Sequence, residues 1–139
     1  MRLWHYALIP YLPKSQLLAQ WRELNSIFKK QDNHILINYI YEYSKKDLCV
    51  YTEMVIKEMQ KRKIKIKNLE NCKNYFGECY KNHNWTSFKP FKDHHNDRYL
   101  RQCFYNLQEK YDRGQKDFSK EQYEALTELY NEWLELVTI

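Results

Sequence analysis

Trp21-Arg22-Glu23-Leu24 sets a carboxylate beside a guanidinium, one helix-length behind an apolar N-terminus. Together with the α-amino group of Met1, these residues supply a nucleophile, an acid or base, and a cation that suits phosphate. An amine and a carboxyl acting together can run Schiff-base chemistry on an electrophilic carbon. An α-amino group titrates at about 7.7–8.0, so roughly a tenth to a fifth of it is neutral at pH 7 without any tuning. A neighbouring cation such as Arg2 or Arg22 lowers that value further. The apolar Leu3, Trp4, Tyr6, Leu8 and Ile9 are expected to pack the terminus down. The competing readings are a frayed terminus and an ordinary surface pair between Glu23 and Arg22, which contributes little.

The elements that must position these groups are expected to be helical. The chain has 139 residues, 43% hydrophobic, with only two Gly and three Pro, which suits one domain with a modest core and argues against a turn-rich β fold. The first helix follows Pro13 and runs to about Lys30, with Leu17, Trp21, Leu24 and Phe28 on one stripe. Glu23 and Arg22 lie off that stripe, so both are expected to project toward solvent or a groove, while Trp21 belongs to the core. Residues 33–43 are irregular and β-branched and read as an extended segment. Ser44 and Asp47 resemble a capping box, opening a second helix with Leu48, Tyr51, Val55 and Met59 inward. Residues 68–95 lack periodicity and read as a long loop. A third helix begins near Asn96 or Asp97 and stops at Gly114; a fourth, capped by Ser119 and Gln122, carries Tyr123, Leu126, Tyr130, Trp133 and Leu134 inward. The fold class is therefore all-α: three core helices, a C-terminal acidic helix, and a long loop between helices two and three.

Charge is uneven. The net charge is +5, but residues 1–114 hold 21 basic and 12 acidic side chains, against 2 and 6 in residues 115–139. A basic body favours a polyanion through phosphate contacts and counterion release. No apolar run reaches the length of a membrane span, and no signal peptide is evident, so the expected compartment is the cytoplasm. Cys49, Cys72, Cys79 and Cys103 are expected to stay reduced, Cys49 and Cys103 as small hydrophobes. The spacing Cys72-x6-Cys79-x3-His83 does not match a compact zinc-ligand pair, and no metal site is assigned.

At Trp21-Arg22-Glu23-Leu24 the sequence resembles the endonuclease V family of pyrimidine dimer DNA glycosylases. The likeness continues around Asn33-His34, through Tyr43 to Ile66, and from His95-Asn96-Asp97 to Lys110; the opening Met-Arg-Leu-Trp-His is that of cellular members. The resemblance implies a glycosylase with apurinic/apyrimidinic lyase activity on pyrimidine dimers or related damage. In it the N-terminal amine, here Met1, attacks C1′ of the damaged nucleotide, and Glu23 stabilises the sugar's developing charge and then assists β-elimination. Arg22 contacts DNA near the lesion. The phage-type enzyme uses a threonine amine exposed by loss of its initiator methionine; here Arg2 is too large for that processing, and Leu3 and Ser26 stand where that type has arginines. Residues 1–114 form the glycosylase-like domain, and residues 115–139 the acidic helix, packed on the same domain. The mechanism calls for no cofactor, and the expected partner of a monomer is damaged double-stranded DNA, with nucleoid association when bound to it.

The remaining candidates are cations and one imidazole. Arg2 is assigned to DNA binding, and His34 is placed near the lesion for phosphate binding or proton transfer, with a structural histidine the equal alternative. Lys61 and Arg62 on the second helix, and Arg98 and Arg101 off the apolar stripe of the third, are assigned to phosphates. Tyr80 to Lys92 interleaves aromatic and basic residues, which suits base stacking, with Lys89 and Lys92 as DNA contacts. The other reading of that stretch is an aromatic lid over the core. A noncatalytic nucleic-acid-binding helical domain is the alternative for the whole chain, and an interaction protein docking through its acidic helix is a third.

Overall fold

Pro13 opens α1 (Lys14–Lys29) as its N-cap, where a missing N–H costs nothing. The computed structural model describes residues 2–31, 33–77 and 88–138. Among these, α1 is followed by α2 (Lys45–Lys61), α3 (Leu69–Phe76), α4 (Asp97–Asp112) and α5 (Lys120–Thr138), with 3-10 helices at Tyr6–Tyr11 and Asn38–Glu42. No strand occurs among the described residues.

α1 buries Leu17, Trp21, Leu24 and Ile27 against α2, which answers with Leu48, Tyr51, Val55 and Met59. Each fully buried leucine here contributes about 2 kcal/mol of apolar transfer. Phe28 continues the same stripe two turns beyond Trp21, edge-on to its ring at 6.5 Å, and packs edge-on against Phe76 of α3, centroids 5.2 Å apart.

Three readings of the sequence need correction. The stretch read as an aperiodic loop contains α3, a two-turn helix whose buried residues are only Cys72 and Phe76, too few to announce a period. Residues 33–43 are a tight turn and a 3-10 helix rather than an extended segment, because backbone bonds close locally on His34 and Ile37. Ser44 does start α2, but its side chain caps nothing; the Asp47 carboxylate instead accepts from Phe91 N–H (2.9 Å), fastening the segment ahead of α4.

The ends of α4 and the start of α5 follow local chemistry. Asn96 Oδ1 accepts from Tyr99 N–H (3.0 Å), and Gly114 at φ +83° lies just past the last turn. Ser119 and Gln122 form a reciprocal box, 2.9 and 3.1 Å. α5 lies along α4 through two face-to-face ring stacks, Phe104–Tyr130 and Tyr111–Tyr123, each at 4.0 Å. Trp133 Nε1 donates to Asp97 (2.6 Å), and Asp117 accepts from Ser15 N–H (2.8 Å) at the start of α1.

Candidate active site

Gln20 sits on the apolar stripe of α1 and is fully buried. Its Nε2 donates to Arg2 O and to Glu23 Oε2, both at 3.0 Å. Its Oε1 accepts from Trp4 N–H at 2.8 Å and lies 2.8 Å from the Tyr51 hydroxyl. One amide thereby ties the start of the chain to the carboxylate one turn further along α1. The rest of the N-terminal segment is held as firmly. Tyr99 Oη donates to Leu3 O (2.5 Å), Tyr51 Oη reaches Trp4 O (2.5 Å), and Tyr6 N–H donates to His95 Nδ1 (3.2 Å).

Glu23 opens onto a cavity of about 270 Å³ between α1 and α4, which Arg2, Trp4, Leu36, Asn106 and Lys110 also line. Partial burial raises the Glu23 pKa above its ordinary value; the Arg2 backbone N–H and the charges of Arg22 and His34 pull it back. The group can thus hold or give up a proton nearer neutrality than a solvated glutamate does. It is half-buried in a groove, as its place off the apolar stripe led us to expect. Arg2 stands over the Trp4 ring, 5.7 Å from its centroid, and its side chain also bonds the buried Cys103 thiol of α4.

Met1 lies outside the described residues; Arg2, to which it is bonded, lines the Glu23 pocket. Arg22 is exposed and borders a second cavity of about 510 Å³ on the neighbouring face of α1, with Lys29, Lys65 and Lys67 around a floor of Trp21 and Met59. Trp21 is buried and donates from Nε1 to Lys67 O (2.8 Å). His34 is exposed, and its Nδ1 accepts from Leu36 N–H (3.1 Å).

The remaining cations are dispersed. Lys61 is exposed in a different groove, lined by Tyr6 and Met54. Arg62 serves the fold: it pairs with Glu58 (2.7 Å) and donates to Leu12 O (2.7 Å) and Pro10 O (3.1 Å), joining the end of α2 to the first 3-10 helix. Lys89, Lys92, Arg98 and Arg101 are exposed, and Arg101 bonds to the Tyr130 side chain on α5. The aromatic-basic stretch falls largely at residues 80–87, outside the described residues, as do Cys79 and His83.

Sequence reasoning overlooked Gln20 and Lys110. Gln20 had a signal, since an amide midway between Leu17 and Leu24 interrupts an apolar stripe and must find partners there. Lys110 had none, because it flanks the stripe of α4 like any solvated lysine.

Beneath the N-terminal segment lies a layer of uncharged polar rings. His95 accepts at Nδ1, so its proton is on Nε2 and donates to the Tyr39 oxygen at 2.7 Å. His5 accepts from Ala7 N–H (3.1 Å), and its Nε2 has no partner among the described residues. Burial holds both histidines far below the usual range, His5 at about 4 and His95 at about 2.

The family model described as pyrimidine dimer DNA glycosylase matches residues 1–71, which span the N-terminal segment, α1, the turn at His34 and α2. The segment from residue 72 to 111, to which the sequence likeness extended, lies outside that match. No curated protein matches the chain, and no solved structure does.

Proposed function

The chain belongs to the pyrimidine dimer DNA glycosylase family, and on that premise we propose that it excises damaged pyrimidines and then nicks the strand through an imine on its N-terminal amine. The amine nitrogen bonds to C1′ of the damaged nucleotide while the C1′–N bond breaks and its electron pair leaves with the base. Ring opening gives the imine, with the former ring oxygen taking a proton. Loss of a C2′ proton then expels the 3′ phosphate and breaks the strand. Glu23 faces the developing positive charge of the sugar as a carboxylate and is the group to accept a proton afterwards. Arg22, Arg2 and Lys110 supply positive charge for the flanking phosphates.

One observation carries this reading: a single buried amide, Gln20, bonds both the carbonyl of Arg2 and the carboxylate of Glu23, each at 3.0 Å. The residue next to the amine and the carboxylate therefore share one rigid reference point. Such fixed geometry is what a reaction between a bound sugar, an amine and a carboxylate demands.

Borohydride trapping on abasic DNA tests it. The expected result is a covalent adduct whose peptide map points to Met1, lost when the amine is blocked. Glu23→Gln should lower the trapping rate about 10²- to 10⁴-fold, the usual contribution of a positioned proton-transfer group. DNA binding with no adduct would replace the enzyme reading with a noncatalytic nucleic-acid-binding domain.

A further inference from the structure

The turn between α1 and the second 3-10 helix presents two aliphatic side chains to solvent beside the Glu23 pocket. Ile35 is 84% exposed and Leu36 46%, and Leu36 also lines the pocket. The turn is built to hold them there. Ile37 N–H and Asn38 N–H both donate to His34 O, at 2.9 and 3.0 Å, and Leu36 N–H donates to His34 Nδ1. The Asn38 side-chain amide, oriented as its neighbours require, donates to His34 O and Asn33 O at 3.0 and 3.2 Å. Behind the tip Ile37 and Ile40 are buried and anchor it to the core.

A lone exposed isoleucine needs no explanation. Two adjacent aliphatic residues at the tip of a hydrogen-bonded turn, against a pocket holding a carboxylate and cations, are a different matter. The core makes no use of their exposed surface. The surroundings favour a polyanion, with Arg2 and Lys110 in the pocket wall and Lys29 and Lys30 exposed where α1 ends. A surface that is apolar at its tip and basic at its base fits stacked bases between two phosphate backbones.

We propose that Ile35, backed by Leu36, is a wedge that enters a DNA duplex between adjacent base pairs at the lesion and holds it kinked while the target sugar occupies the Glu23 pocket. The inference rests on the reading of that pocket given above. Inserted aliphatic side chains exchange contact with water for contact with base faces, which offsets the lost stacking. The step is easiest where damage has already weakened pairing, so the wedge also favours lesions over intact DNA. The hydrogen-bonded turn keeps the tip in shape before DNA arrives, so little ordering entropy is lost on binding.

The experiment pairs two abasic substrates, a duplex and a single strand, with a 2-aminopurine beside the abasic site of the duplex. Wild-type protein should raise the 2-aminopurine fluorescence as it unstacks that base. Ile35→Ser should abolish the rise and slow borohydride trapping on the duplex by about tenfold or more, with single-strand trapping within about twofold because nothing there needs opening. Ile35→Leu should restore both duplex signals. Wild-type fluorescence and duplex trapping in Ile35→Ser would overturn the wedge. So would equal losses on both substrates, which would make the turn a wall of the pocket instead. A fluorescence rise without any adduct would sink the imine reading and leave the wedge standing.

Discussion

Gln20 has two donors and an acceptor oxygen with two lone pairs, and each has a neighbour in reach. Its donation to Glu23 favours the ionised carboxylate, opposing the rise that burial causes. Gln20→Met keeps the volume but removes that donor, so the acid limb of the trapping rate against pH should move upward and the rate fall about tenfold. Tyr99→Phe, which frees Leu3 O instead, should leave the acid limb where it is. An unmoved limb in Gln20→Met would reduce Gln20 to a structural amide. At this scale the sequence was legible in placing Arg22 and Glu23 off the apolar stripe of α1, where the structure has them exposed and half-buried. An amide in the apolar stripe marked Gln20 as needing partners, but not which ones: Arg2, Trp4 and Tyr51 lie 16 to 31 residues away.

The N-terminal segment is held by carbonyl and N–H bonds from α1, α2 and α4, over a layer containing His5 and His95. Both rings have folded-state pKa values below the unfolded 6.5, at about 4 and about 2. The unfolded chain therefore binds more protons between these values, and stability rises with pH there. It is complete above about pH 6.5 and is lost as pH falls toward 4 and, for His95, lower still. For His5 alone the loss amounts to about 3 kcal/mol. Thermal melts should show the midpoint dropping from pH 6.5 downward, before ordinary carboxylates titrate. A flat midpoint between pH 7 and 4 would refute buried neutral histidines. The long helices were readable because their stripes repeat over three or more turns. α3 and the 3-10 helix after His34 were not, since each is too short for a period and depends on what packs behind it.

Across the whole molecule, the acidic residues of α5 stand apart from the cations around the Glu23 pocket. Glu124, Glu128, Glu132 and Glu135 line one groove of α5, while Arg2, Lys110 and Arg22 border the two cavities flanking α1. Binding to a lesion duplex should weaken steeply with salt, and Lys110→Ala should lower the slope of log affinity against log salt by about 1. Changing Glu124, Glu128 and Glu132 together to Gln should leave that slope unchanged while strengthening binding modestly at low salt. An unaltered slope in Lys110→Ala would remove Lys110 from the interface. The sequence by itself determined the helical class, the inward faces of the long helices, the charge division and the family, because periodicity, charge sums and contiguous motifs are local or additive. Only the tertiary structure decided that Arg2 lies beside Glu23, that α4 contributes Lys110 to their pocket, that Arg62 turns inward and that Ile35 stays out. Those placements depend on how separate helices cross and where connections run. A residue's own neighbours in sequence specify its face, not the element it meets.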